Sequence, residues 1–148
     1  MIEIETFLRN KDGSFAQVGD HRARLFDPDY VEGAIRICID GVEIVGLDEW
    51  DYVDQLWAYI ADMVPLLKAS GSASISFPDQ PIDLSFRRQG SLVIVSSEFG
   101  GSTKKVGITE GDFLSALKAA GVEFFDRMAE MIPENSPSYS VARKELLS

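Results

Sequence analysis

AIRICIDGVEIVGLDEWDYVDQLWAYIADMVPLL, residues 34–67, is the stretch that decides the fold. Ala34-Ile35-Arg36-Ile37-Cys38-Ile39 alternates with the period of a strand. Asp40-Gly41 supplies the two residues of a tight hairpin turn, where positive φ angles are needed, and Val42 to Val45 reads as the returning strand. The period then changes. Trp50, Val53, Trp57, Ile60, Val64 and Leu67 step by 3, 4, 3, 4 and 3, the spacing of an amphipathic helix. Asp48 is the expected N-cap and Gly71 the expected stop. A hairpin followed directly by a helix points to an α+β domain.

Toward the N-terminus, Ile2 to Leu8 alternates as a strand, Asp12-Gly13 has turn chemistry, and Ser14 to Val18 returns. Gly19 to Gly33 loses the pattern and reads as a long acidic loop, the kind that in compact domains is often functional. It holds the lone His21, read as a surface-loop histidine. Toward the C-terminus, Ala73–Phe77, Ile82–Arg87 and Leu92–Val95 form a meander. Lys104 to Ile108 is a fourth strand after a Gly100-Gly101-Ser102 tip. Thr109 and Asp112 have capping-box spacing before a second helix carrying Phe113, Leu117, Ala120, Phe124, Met128 and Met131. Gly121 within it signals close packing or a break, and Arg127 is placed to pair with Glu123 at i, i+4. Pro133 closes this helix. The expected architecture is one domain over 1–148: an antiparallel sheet of about six to eight strands with two main helices on one face. Residues 135–148 read as a linker-like tail with a short helix.

The chain has 148 residues, 14 Lys plus Arg against 24 Asp plus Glu, and a formal net charge of −10. Such a field repels nucleic acid and anionic lipid, whose recognition depends on basic surfaces, and favours cationic partners. The N-terminus lacks a basic region leading into an apolar run, and no window is apolar enough to span a membrane. A cytoplasmic protein is expected. The single Cys38 reads as an inert, core-facing strand residue.

Motifs for chemistry are sparse. There is no Cys-x-x-Cys, His-x-x-x-His or Glu-x-x-His, so no metal is expected. The Asp27, Asp29, Glu32 series has Pro28 in it and lacks the glycine of a calcium loop. The glycines form neither a Walker loop nor a dinucleotide fingerprint. Neither a cofactor nor an enzymatic role is expected. What stands out is charge on helices. At roughly 100° per residue, Asp51, Asp54 and Asp62 fall opposite the first helix's apolar stripe, together with Ala58 and Pro65. Glu123, Asp126 and Glu130 do the same on the second helix. Between Asp48 and Leu67 there are five acids and no Lys or Arg, so intrahelical pairing does not account for them. An uncompensated stripe suits one half of an electrostatic interface. Tyr52 and Tyr59, at the stripe's border, are candidate anchors.

The helix Asp51-Tyr-Val-Asp-Gln-Leu-Trp57, the meander segment Phe77-Pro-Asp-Gln-Pro-Ile82 and the helix start Thr109-Glu-Gly-Asp-Phe-Leu114 resemble small bacterial immunity proteins of contact-dependent and polymorphic toxin systems. That resemblance is one of type and carries no binding residue position by position. It implies a tight complex with a cognate toxin, often a basic nuclease domain, whose active site is blocked or held inactive. Two alternatives are a housekeeping ligand-binding or adaptor domain, its pocket lined by Trp50, Trp57, Phe113 and Phe124, and an acidic nucleic-acid mimic.

Overall fold

The computed structural model describes residues 1–20, 23, 25 and 27–148. Among them it shows an α+β fold of three α-helices and nine strands, the strands divided between two antiparallel sheets. A single sheet was expected. The division arises because the helix at 53–70 leads the chain from one strand group to the other. His21, Arg22, Arg24 and Phe26 of the acidic loop, and with them the reading of His21, lie outside the described residues.

The first sheet contains β1 (Ile2–Arg9), β2 (Phe15–Gln17), β3 (Glu32–Ile39) and β4 (Val42–Val45) in the order β2-β1-β3-β4, with the two-residue β5 (Asp51–Tyr52) added to β3. Asp40 and Gly41 have φ of 50° and 82°, so the β3–β4 turn takes the left-handed form that Asp-Gly tolerates. Register slips between Ile37 and Cys38. Cys38 pairs with Glu3 on β1 and Glu43 on β4. It is half-buried on the outer face of this sheet, not in the core, because Ile35, Ile37 and Ile39 take the inner face.

The second sheet is the expected meander, β6 (Ser72–Ser76), β7 (Ile82–Gln89), β8 (Leu92–Phe99) and β9 (Ser102–Thr109), paired in chain order. Leu84, Phe86, Val93 and Val95 point inward and are fully buried. The register aligns Ser74, Ser85, Ser96 and Lys105 in one row across the outer face. The sheets meet where β4 lies against β8 and β9, and there the buried Ser97 hydroxyl donates to the Ile44 carbonyl at 2.7 Å.

Two helices, α1 (Val53–Ser70) and α2 (Glu110–Met131), pack against the inner faces, and a third, α3 (Ser136–Leu147), packs on both of them. α1 begins five residues after Asp48, which lies in a preceding 3-10 turn, so Asp48 is not its cap. Its end is as read: Gly71 takes a left-handed φ of 82° and donates to Leu67 O. Thr109 occupies the N-cap position of α2 without a side-chain cap bond. Glu110, one residue on, instead receives a two-pronged contact from Arg88 at 2.7 and 3.1 Å. That contact holds the Glu110 carboxyl below its ordinary range, and Arg88 also donates to Leu67 O at the end of α1.

The tail read as linker-like is the docked helix α3, in contact with both α1 and α2. Leu146 is fully buried, and a Cβ on Gly121 would come within 2.3 Å of its Cδ2. Gly121 therefore marks close helix packing rather than a break. Trp57 sits at the centre of the helical layer. It is 0% exposed, lies against Phe124 and Phe125 at ring-centroid distances of 6.1 and 6.3 Å, and donates its indole N–H to Thr6 Oγ1 at 3.0 Å. A buried indole needs such a partner. Among the described residues no helix is long and apolar enough to cross a membrane.

Candidate functional site

The structure breaks up the acidic stripe expected on α1. Asp51 precedes the helix, in β5, and is 3% exposed. Its carboxylate accepts from the backbone N–H of Tyr52 at 2.7 Å, from that of Gln80 at 2.8 Å and, through both oxygens, from that of Asp79 at 3.1 Å. It staples the β6–β7 turn to β5. Asp54 faces α3 and accepts from the Tyr139 hydroxyl at 3.1 Å. Burial raises its carboxyl above the ordinary value, against the opposing pull of that hydrogen bond. Burial likewise pushes the Tyr139 hydroxyl up to about 12. Ala58 and Pro65, expected toward solvent, are half-buried. The reason is α3, which covers the side of α1 that periodicity alone left open. The true solvent line of α1 runs through Gln55, Tyr59, Asp62 and Leu66, with a single carboxylate.

The α2 stripe keeps its exposure, with Glu123, Asp126 and Glu130 all toward solvent. Two of these acids are compensated: Arg143 of α3 reaches Asp126 at 2.9 Å and Arg127 reaches Glu130 at 3.4 Å. Arg127 thus pairs at i, i+3, not with Glu123, and it also donates to Val18 O. The residues proposed as one interface therefore separate. Tyr52 stands beside Asp51 in β5, Tyr59 and Asp62 are on the solvent line of α1, and Glu123, Asp126 and Glu130 lie on α2.

A different site emerges at β5. Residues Glu32, Trp50, Asp51, Tyr52, Asp79, Gln80 and Pro81 line an open cleft of about 340 Å³. Glu32 and Tyr52 are direct cross-strand partners, and the Tyr30 ring lies 5.9 Å from that of Tyr52. The walls are fixed from within. Asp51 holds the Asp79-Gln80 backbone, and the Gln80 amide donates to Trp50 O at 2.7 Å. Arg9 completes the setting: its guanidinium carbon lies 4.3 Å from the Trp50 ring centroid, while Nη1 reaches Glu32 Oε1 at 3.1 Å. Desolvation, then the carboxylates of Asp79, Glu32 and Asp51, keep the Tyr52 hydroxyl above its ordinary value. Among the described residues no Lys or Arg is paired with Asp79.

The same negative, aromatic character continues over the outer face of the first sheet. Register places Glu3, Glu5 and Phe7 opposite Cys38, Arg36 and Ala34. Arg36 is ringed by Glu43 and Glu5 at 3.0 Å and Glu3 at 3.4 Å. Sequence periodicity missed the cleft because its residues come from three separate segments, around Glu32, residues 50–52 and residues 79–81, joined only by β5 pairing and the Asp51 staple. Trp50 and Tyr52 were noticed, but as helical residues. The signal available in the sequence was Phe77-Pro-Asp-Gln-Pro-Ile82, a turn with polar residues and two prolines.

The aromatic pocket of the ligand-binding alternative is absent from the packing of the described residues. Trp57, Phe113 and Phe124 are 0% exposed within the core, and Trp50 is apart from them in the cleft. Compared with protein-family models, with curated proteins and with solved structures, the chain matches none.

Proposed function

We propose that this chain is a protein-binding domain that neutralises a cognate toxin, an immunity protein whose partner presents a cationic surface. The observation that carries the reading is the uneven distribution of charge. Residues 72–109, which hold the second sheet, carry four cations against three carboxylates. That leaves a net −11 on the remainder of a −10 chain. Much of that acidity is on the outer face of the first sheet, around the cleft and on α2, with Tyr52 and Trp50 interleaved. Aromatic groups among carboxylates supply anchoring less dependent on salt, while the field speeds encounter with a basic domain. A basic nuclease domain is one partner of this kind, since its substrate-binding surface is itself cationic.

Capture from a lysate of the native organism, at low salt and at about 0.5 M salt where charge is screened within a few ångströms, tests the reading. A single stoichiometric basic protein, encoded beside this chain and losing its toxicity on binding, is expected. A partner without toxic activity would overturn the toxin assignment. Failure to bind the neighbouring gene's purified product would overturn it too.

A further inference from the structure

We propose that the cleft between β5 and the β6–β7 turn is a receptor for one cationic side chain, an arginine, presented by the partner protein. The proposal deepens the reading above and rests on it for the source of the arginine. The chemistry of the cleft stands on its own geometry.

Arg9 shows what these walls accept. Its guanidinium lies over Trp50 and bonds Glu32, which satisfies a flat cation by ring stacking and by a carboxylate together. Arg9 does not line the cleft. It fixes Trp50 and Glu32, while Tyr52, Asp79, Gln80 and Pro81 bound the remaining space. Those residues repeat the recipe: an aromatic ring, Tyr52, with a carboxylate, Asp79, that no described cation occupies. Glu32 is matched by Arg9, and Asp51 spends both oxygens on backbone N–H groups, Oδ1 on Tyr52 and Oδ2 on Gln80, so the charge left to recruit a ligand is that of Asp79. The open cleft of about 340 Å³ has room for an arginine side chain and stands at the small end of the range of ligand sites. The walls are already tied by the Asp51 and Gln80 hydrogen bonds, so little ordering is required on binding. Arginine is favoured over lysine because a planar guanidinium can stack on Tyr52 and meet Asp79 edge-on at once.

The test uses N-acetyl-arginine methylamide as probe, its neutral isostere N-acetyl-citrulline methylamide as control, and the two indole N–H resonances as readout. Saturable movement of the Trp50 resonance is expected, with a dissociation constant on the order of 10 mM for an isolated side chain. The fully buried Trp57 stays still, and citrulline gives no saturation. Asp79→Asn, at an exposed carboxylate, should fold normally and weaken the probe about fivefold, and Tyr52→Ala should abolish saturation. Equal response to citrulline, or no movement of Trp50, would overturn the cleft. The two readings fail separately. Probe binding with no toxin captured removes the immunity assignment and keeps the cleft. A captured toxin whose affinity is unchanged by Asp79→Asn and Tyr52→Ala, with the probe silent, does the reverse.

Discussion

In the second sheet each strand pairs with its neighbour in the chain, and β7, β8 and β9 run eight residues in unbroken register. The first sheet joins β1 to β3 past β2 and the acidic loop, slips register at Ile37 and Cys38, and admits β5 for two residues. A regular ladder satisfies its own N–H and C=O groups, whereas an interrupted one must recruit side chains to do so. At the end of β5 the Gln80 amide meets the Trp50 carbonyl, and Asp51 in return holds the Asp79-Gln80 backbone of the β6–β7 turn, so the groups tied here are the walls of the cleft. Irregular pairing here is the way the chain assembles a concave surface from segments that no hairpin would bring together. The regular sheet, by contrast, shows solvent a hydroxyl row, with Ser85 and Ser96 in contact at 2.6 Å.

The sharpest way to break this contrast is Asp51→Ala. It removes the acceptor of three backbone N–H groups and is expected to cost about 4 kcal/mol in urea unfolding, with the arginine probe lost. The corresponding deletion in the regular sheet, Ser85→Ala, is expected to stay within about 0.5 kcal/mol. A pair of strand glycines comes next. A Cβ on Gly33 would sit 2.2 Å from the Phe7 carbonyl oxygen and 2.9 Å from Val53 Cγ1. Gly33→Ala should therefore lose about 3 kcal/mol by displacing β1 from β3. On Gly107 the nearest atoms are the flexible ends of Ile94 and Leu92 at 3.3 Å, and Gly107→Ala should change the thermal midpoint by no more than about 2 °C.

Two carboxyls sharpen the comparison through pH. Glu110, depressed by Arg88, contributes stability that is present above the ordinary value of 4.5 and is lost as pH falls through its folded value. Glu110→Gln should cost under about 1 kcal/mol at neutral pH, as for a partly exposed ion pair, and the cost should shrink on acidification. Asp54 has the opposite sign. Its carboxyl is raised by burial, so the folded state holds the proton more tightly, and stability falls as pH rises from 3.8 through the folded value. Asp54→Asn keeps an acceptor for Tyr139 and should gain on the parent as pH rises across that window, the smallest effect of the set. Parallel stability curves for parent and variant across that window would contradict the assignment.

How much of this was legible follows from the range of the interactions. The meander, the Asp40-Gly41 turn and the Gly71 stop were readable because each is settled within a few residues. The α2 acids were readable because that face of the helix stays toward solvent, with Asp126 and Glu130 met there by Arg143 of α3 and by Arg127 of the same helix. Asp54 was misplaced because its surroundings include Tyr139, 85 residues away in sequence, and a helical wheel contains no third helix. Asp51 was misplaced because the helix begins two residues after it, the dipeptide Asp51-Tyr52 being claimed by β3. The cleft needed both of those long-range facts, so its residues could be suspected singly but not assembled.

Among the described residues β9 is laddered to β8 alone, and β4 lies against it without pairing. A strand at the end of a sheet is a place where other chains can add to the ladder. Lys104 and Lys105, both exposed, stand on that strand, and their desolvation would oppose growth of a stack. An otherwise acidic molecule thus keeps a pair of lysines where colloidal stability demands it. Replacing both with threonine would favour aggregation on storage at high concentration while leaving the native fold and its cleft intact.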